Sequence, residues 1–170
     1  MSTPDHDTPP EDSRLAEIMR GGAEVDPEGS VLIGLPHSRA IGMRVHLAHE
    51  GVGLLSVPYD ARLVGDPETG VLHGGVITSL LDTACGIAVM ASKTKLIATA
   101  TLDLRIDYMR PATMGLRVWA RAECHRLTRA IAFARAVAYH EDTEDPIASA
   151  AGAFVITRPA GGATAAKETS

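Results

Sequence analysis

The rhythm of hydrophobic positions changes once along the second half of this chain. From Leu72 to Ala91 the run LHGGVITSLLDTACGIAVMA is apolar at helical spacing and free of proline, which predicts one long, buried helix. Beyond Lys93 the period falls to two. Leu102, Leu104, Ile106 and Tyr108 alternate with Asp103, Arg105 and Asp107, predicting a strand with one dry and one wet face, closed by Pro111. Val118, Ala120, Ala122 and Cys124 repeat the alternation. Ala130, Ala132, Ala134, Ala136 and Ala138 then interleave with Ile131, Phe133, Arg135, Val137 and Tyr139, so the next strand has one face made only of alanine. Such a face implies a very close neighbour, and the long helix, with Ala84, Gly86 and Ala88, is the candidate. A last strand, Ile147 to Thr157, follows the turn at Glu144, Asp145 and Pro146.

Upstream of the helix, Ile41 to Ala48 and Gly51 to Tyr59 predict a hairpin turning at His49, Glu50 and Gly51, and residues 60–70 predict a loop rich in turn formers. Leu15, Ile18 and Met19 predict a short amphipathic helix over residues 11–20, ended by Gly21 and Gly22. Residues 23–36 read as a connecting loop, residues 1–10 as a disordered polar start, and residues 159–170 as a flexible low-complexity tail. That leaves one domain over residues 11–158. Strands joined by short turns favour an antiparallel sheet, and one helix cannot cover both faces of it, so an α+β fold with the sheet curled around the helix is expected.

Composition narrows the function. At 170 residues, 45% apolar and 22% charged, the chain is long enough for one full core. A formal charge of -5 argues against a general nucleic-acid binder. Residues 1–60 carry four Lys+Arg against ten Asp+Glu, so the remainder is nearly neutral, and seven arginines between Arg105 and Arg135 are local material for a phosphate-bearing ligand. No run reaches membrane-spanning length. Two cysteines, Cys85 and Cys124, have neither zinc nor disulfide spacing, and a reducing cytoplasm is expected. His46 and His49, three apart on a strand, face opposite sides and make no metal pair. Ser79 lacks the G-x-S-x-G setting of a serine hydrolase. The anomaly is Asp82. A carboxylate among leucines and alanines costs free energy unless it is hydrogen-bonded or used.

Taken together, GVLHGGVITSLLDTACG followed by TATLDLRIDYMRPA resembles the hotdog-fold acyl-CoA thioesterases of the phenylacetate-pathway (PaaI-like) type, within the 4-hydroxybenzoyl-CoA thioesterase superfamily. The likeness spans roughly residues 41–157. It rests on His-Gly-Gly, an aspartate seven positions after the second glycine, and Asp-x-x-x-x-Tyr-Met-Arg-Pro. The resemblance implies a six-stranded antiparallel sheet around the helix and two chains pairing to build two active sites, with a homotetramer formed as a dimer of dimers. It implies hydrolysis of an aryl or short- to medium-chain acyl-CoA without a metal or other cofactor, coenzyme A being part of the substrate. Asp82 becomes the nucleophile or general base, the Gly74 amide polarises the carbonyl, His73 helps hold the thioester and Thr101 positions water. Relatives often carry an asparagine shortly before His-Gly-Gly. Here Asp66 and Pro67 stand there, so Asp66 is the substitute. Gly75, Thr78 and Ser79 are expected beside the substrate, and Arg105, Arg110 and Arg126 are candidates for the coenzyme A phosphates.

The chemistry agrees with those residue types. Thioester hydrolysis puts negative charge on the carbonyl oxygen, so the site needs N–H donors at that oxygen and a carboxylate near the carbon. Free amides at a helix start supply the donors. At ~1.5 Å rise per residue, Gly74 and Asp82 lie roughly 12 Å apart on one helix, so if they cooperate the protein is at least a dimer. Thr78, Ser79, Asp82 and Gly86 share one broad face, leaving Ile77, Leu80, Leu81, Ala84 and Ala88 for packing. Competing readings make Asp82 a carboxylate tied up by an arginine or a hydroxyl at a structural interface, His73 a cap or packing residue at the helix start and Gly75 a close-packing residue. Two other functions use the same residues. One is a hydratase or dehydratase acting through His73 and Asp82, and the other a non-catalytic acyl-CoA-binding protein.

Overall fold

The structure, a computed structural model, describes residue 26 and residues 28–31, 35–94 and 96–158. Its elements in chain order are β1 (Ser30–Val31), α1 (Pro36–Ala40), β2 (Arg44–His49), β3 (Val52–Val57), a 3-10 turn (Ala61–Leu63), β4 (Val64–Asp66), β5 (Val71–Leu72), α2 (Gly74–Met90), β6 (Ala98–Tyr108), β7 (Val118–Leu127), β8 (Ile131–Tyr139) and β9 (Ala148–Thr157). The main sheet has seven strands in the order β1-β2-β3-β7-β8-β9-β6, and every pairing is antiparallel. Six of these are the expected strands. The seventh, β1, is two residues pairing with the outer edge of β2. The expected helix over residues 11–20 lies outside the described residues.

Several short elements depart from the sequence reading, β1 among them. Residues 60–70, expected as a loop, hold the 3-10 turn and β4, which pairs with β5 as a small separate ribbon. Ribbons of two or three residues are too short to show a period. α1 is likewise a five-residue helix, started by Pro36, in a stretch with no helical repeat.

α2 lies on one face of the sheet. Ile77, Leu80, Leu81, Ala84 and Ala88 are buried in a single core with Leu55, Val57, Ala120, Ala122, Phe154 and Ile156. The alanine face does what its smoothness implied: Ala132, Ala134, Ala136 and Ala138 are buried in that core, while Ala130 sits exposed in the turn before β8. The helix comes close enough at β3 that a Cβ on Gly53 would lie 3.1 Å from the Ala84 carbonyl oxygen. The β2–β3 hairpin turns on Glu50 (φ 44°) and Gly51 (φ 83°), two successive left-handed residues, the geometry that matches the natural twist of paired strands. Gly51 N–H donates to the Ala91 carbonyl at 2.9 Å, tying the hairpin tip to the end of α2.

β6 keeps its expected dry face only in part, with Leu104 and Ile106 half-buried against the core and Leu102 and Tyr108 exposed. It is the last strand of the sheet, paired only with β9 among the described residues, and a register shift between Thr101 and Asp103 places Leu102 at the irregularity. Ile97, Leu102, Tyr108 and Met109, along and beside this edge, are all more than half exposed.

The opposite face of the sheet carries a second cluster of Leu47, Val52, Leu54, Trp119 and Tyr139. Beside it, His46 is buried with its ring 4.6 Å from that of Trp119. Its Nδ1 lies 2.7 Å from the Asp26 carbonyl and its Nε2 2.7 Å from Ser56 Oγ, which also accepts from Arg117 Nη1 at 3.0 Å. The donors and acceptors close consistently for a neutral ring: Nδ1–H donates to Asp26 and Ser56 donates to Nε2. Burial accordingly pushes the imidazole below its ordinary value of 6.5, against the raising pull of the Asp26 carbonyl.

Two outcomes follow from this packing. Ala134→Leu should cost about 1–3 kcal/mol in chemical denaturation, because the added side chain overpacks the contact between sheet and helix. The unfolded chain protonates His46 near pH 6.5 while the folded chain resists, so stability is fully present above that value and falls as pH drops below it. Tm measured at pH 7.5 and 5.5 should show the decline, and His46→Gln should flatten it.

Candidate active site

α2 begins at a built N-terminus. His73 takes an extended backbone (φ -59°, ψ 134°) and its Nδ1 accepts the Gly75 N–H at 2.9 Å. The His73 N–H donates to the Leu63 carbonyl at 2.9 Å, which hangs the helix start from the 3-10 turn. A Cβ on Gly75 would lie 2.8 Å from His73 Nδ1, so the cap depends on glycine there. With Gly75 occupied, the Gly74 N–H has no acceptor among the described residues. Gly74 lines a cleft of about 360 Å³ together with Val71, Ile77, Tyr108, Arg110 and Ile147. A first-turn amide without a partner beside such a cleft is a ready donor to a developing oxyanion.

Tyr108 fixes this end of the helix, a role that sequence reasoning assigned only to the dry face of a strand. Its hydroxyl donates to the Gly74 carbonyl at 2.8 Å and lies 2.8 Å from Thr78 Oγ1. The signal was the Tyr-Met-Arg-Pro part of the motif rather than any periodicity. Thr78 also donates to the Gly74 carbonyl at 3.2 Å, and Ser79 Oγ to the Gly75 carbonyl at 2.8 Å. Since the Ser79 hydrogen is directed there, His37 Nε2, 3.0 Å from Ser79 Oγ, is the donor in that pair. α1 is thereby pinned beside the polar face of α2.

Two turns further along, Asp82 stands half-buried on the same helix. Thr101 Oγ1 donates to its Oδ1 at 2.8 Å, leaving Oδ2 without a partner among the described residues. No arginine or lysine pairs with it there. The carboxylate borders a second cleft, of about 270 Å³, lined also by Leu35, Gly86, Ile87, Met90, Thr99 and Phe154. A carboxylate held on one oxygen, with the other free beside a cleft, suits proton abstraction or direct attack. Its neighbour Cys85 is no rival nucleophile, because burial pushes that thiol up to about 12.

Other candidates are placed elsewhere. Asp66 closes its own turn, accepting from Glu68 N–H at 3.1 Å and Thr69 Oγ1 at 2.7 Å, and the threonine bond holds its carboxyl below the usual range. No described hydrogen bond joins Asp66 to His73, Gly74 or Asp82. Arg110 is tied to Asp145 by Nε to Oδ1 at 3.0 Å and Nη2 to the carbonyl at 2.8 Å, with its stem on the Gly74 cleft. Arg105 pairs with Asp107 at 2.9 Å on the exposed edge strand, and Arg126 is exposed on β7. The structure brings Thr101 to Asp82, and His73, Gly75, Thr78 and Tyr108 to the helix start. It does not bring the two groups together in one chain, and the two clefts share no lining residue.

A long antiparallel sheet packed on one long helix, α2, is the hotdog architecture. The thioesterase superfamily profile matches residues 69–147. Over 135 residues the chain is 31% identical to the medium/long-chain acyl-CoA thioesterase YigI of Escherichia coli K12, covering 72% of this chain and 86% of that protein. Among solved structures, a Pseudomonas aeruginosa protein is 43% identical with a TM-score of 0.66, covering 74% of this chain and 93% of that one. A mutant of the phenylacetic acid degradation protein PaaI from Thermus thermophilus is 28% identical with a TM-score of 0.63, covering 73% and 100%. The chain belongs to the thioesterase superfamily, and it is a PaaI-like thioester hydrolase.

Gly75→Ala should displace the His73 ring and lower stability by about 1 kcal/mol, the usual worth of an N-terminal cap, measured by chemical denaturation.

Proposed function

We propose that the protein hydrolyses an acyl-CoA to free acid and coenzyme A at a site shared by two subunits. The observation that carries this reading is the Asp82 carboxylate, oriented by Thr101, free of any described cation, and open to a cleft. Asp82 takes a proton from water as the water oxygen bonds to the carbonyl carbon, the Gly74 N–H of the second subunit takes the oxyanion, and on its collapse the carbon–sulfur bond breaks and the proton passes to the leaving thiolate, giving free acid and thiol. Thr101 keeps Oδ1 directed away from the reacting carbon. Thr78 and Tyr108 hold the helix start in place while charge builds on the oxygen.

Pairing of two chains is supported by β6. Its eleven residues form a long sheet edge, and Leu102 and Tyr108 lie exposed along it. An edge of that length and character is an invitation to strand pairing. Antiparallel docking of two copies would bring Asp82 of each chain toward the helix start of the other, closing the roughly 12 Å gap that one helix imposes. YigI is named as acting on medium- and long-chain acyl-CoA, and that substrate class supports the reading here. A hydratase acting through His73 and Asp82 is less well supported, because His73 spends Nδ1 on the helix cap.

The test uses two variants and their mixture. Asp82→Asn should lower kcat by about 10²–10⁴ in a thiol-release assay. Gly74→Pro removes the N–H at the first helical position, where proline is tolerated, adds a ring at the cleft wall, and should cost about 10²–10³. Neither should change the sedimentation coefficient. After subunit exchange between the two variants, activity should return to about one quarter of wild type, because half the dimers then hold one intact site. No recovery on mixing, or full activity in a monomer, sinks the shared site.

A further inference from the structure

Gly86 sits in the middle of α2, where glycine is destabilising relative to alanine. Such a residue commonly reflects a close approach by another part of the fold, yet Gly86 has none. A Cβ there would meet only Thr99 Cγ2, at 4.0 Å. Gly53, by contrast, would press on the helix backbone at 3.1 Å, so packing explains that glycine and does not explain this one.

What Gly86 borders is the Asp82 cleft. Asp82, Thr83, Gly86, Ile87 and Met90 form one helix face along it, opposite Thr99, Ala100, Thr101 and Phe154, with Leu35 across the opening. Beyond the carboxylate and the threonines the lining is apolar, and Leu35 and Met90 are exposed at the surface. A groove that starts at the attacking group and stays apolar away from it fits the acyl part of the substrate.

Its length sets the size of what it can hold. From Asp82 to Met90 the helix advances ~12 Å. A saturated chain, with ~1.5 Å bonds at near-tetrahedral angles, advances ~1.25 Å per carbon, so that length takes about ten carbons.

We propose that Gly86 is a specificity-determining residue, kept without a side chain so that a straight, saturated acyl chain of about ten carbons can lie along α2 from Asp82 toward Met90. This rests on the reading of Asp82 as the group that meets the thioester carbon.

The experiment is a thiol-release series with butyryl-, hexanoyl-, decanoyl-, palmitoyl- and phenylacetyl-CoA on wild type, Gly86→Ala and Gly86→Leu, alongside Tm and sedimentation. Wild type should have its highest kcat/KM near decanoyl-CoA. Gly86→Ala should raise Tm by about 2 °C and lower the decanoyl-to-butyryl ratio of kcat/KM about tenfold. Gly86→Leu should move the optimum to butyryl-CoA, and if that variant does not fold, the alanine result decides alone. An unchanged ratio in Gly86→Ala, a preference for phenylacetyl-CoA in wild type, or loss of assembly in Gly86→Ala overturns the proposal while leaving the hydrolase reading standing. If wild type releases no thiol from any ester, the hydrolase reading fails instead, and calorimetry with decanoyl- and acetyl-CoA judges the groove. Tighter decanoyl binding that Gly86→Ala weakens supports it, and equal binding overturns it.

Discussion

The rigidity of one helix governs this molecule. Among the described residues, α2 carries an amide without an acceptor at its first residue and, eight residues later, a carboxylate without a cation, and the helix rise fixes their separation at roughly 12 Å. No side-chain rotation spans that distance toward a single carbonyl group. One chain therefore holds its helix-start amide and this carboxylate apart. β6, paired only with β9 among the described residues, leaves an exposed sheet edge.

Holding the helix straight and close is the work of very small side chains. The alanine ladder of β8, Ala120 and Ala122 of β7, and Gly53 of β3 let the helix backbone settle onto the sheet, where larger residues would hold it away. Close seating fixes the spacing between α2 and β6 as well, because both are registered to the same sheet. The 2.8 Å bond from Thr101 to Asp82 and the Tyr108 hydroxyl on the Gly74 carbonyl both depend on that spacing. Packing at the buried face thus sets the geometry on the polar face.

Much of this was readable from the chain. The helix over α2 and the four later strands came from periodicity, and the alanine face already implied its neighbour. Elements shorter than two periods were not readable: α1, β1 and the β4–β5 ribbon hold too few residues to repeat. Tyr108 looked like a core residue because alternation reports which way a side chain points and not whether the strand lies at an edge. His73 was open between two roles from sequence; its Nδ1 caps the helix through Gly75, a contact that no pattern in the sequence encodes. Asp66 could be placed near His-Gly-Gly in sequence, but its two oxygens are committed to a turn whose hydroxyl and amide partners only coordinates reveal. The pairing of His46, Ser56 and Arg117 joins three separate segments and leaves no pattern in any of them.

The condition of the two cysteines has a consequence for an enzyme of this class. Every thioester it cleaves liberates a thiol, and a free thiol in air or peroxide becomes a disulfide partner for any reactive cysteine nearby. Cys85 is buried, and burial raises the thiols of both Cys85 and Cys124. Protonated sulfur exchanges slowly. Cys85, buried and held protonated, is thereby a poor partner for the product thiol.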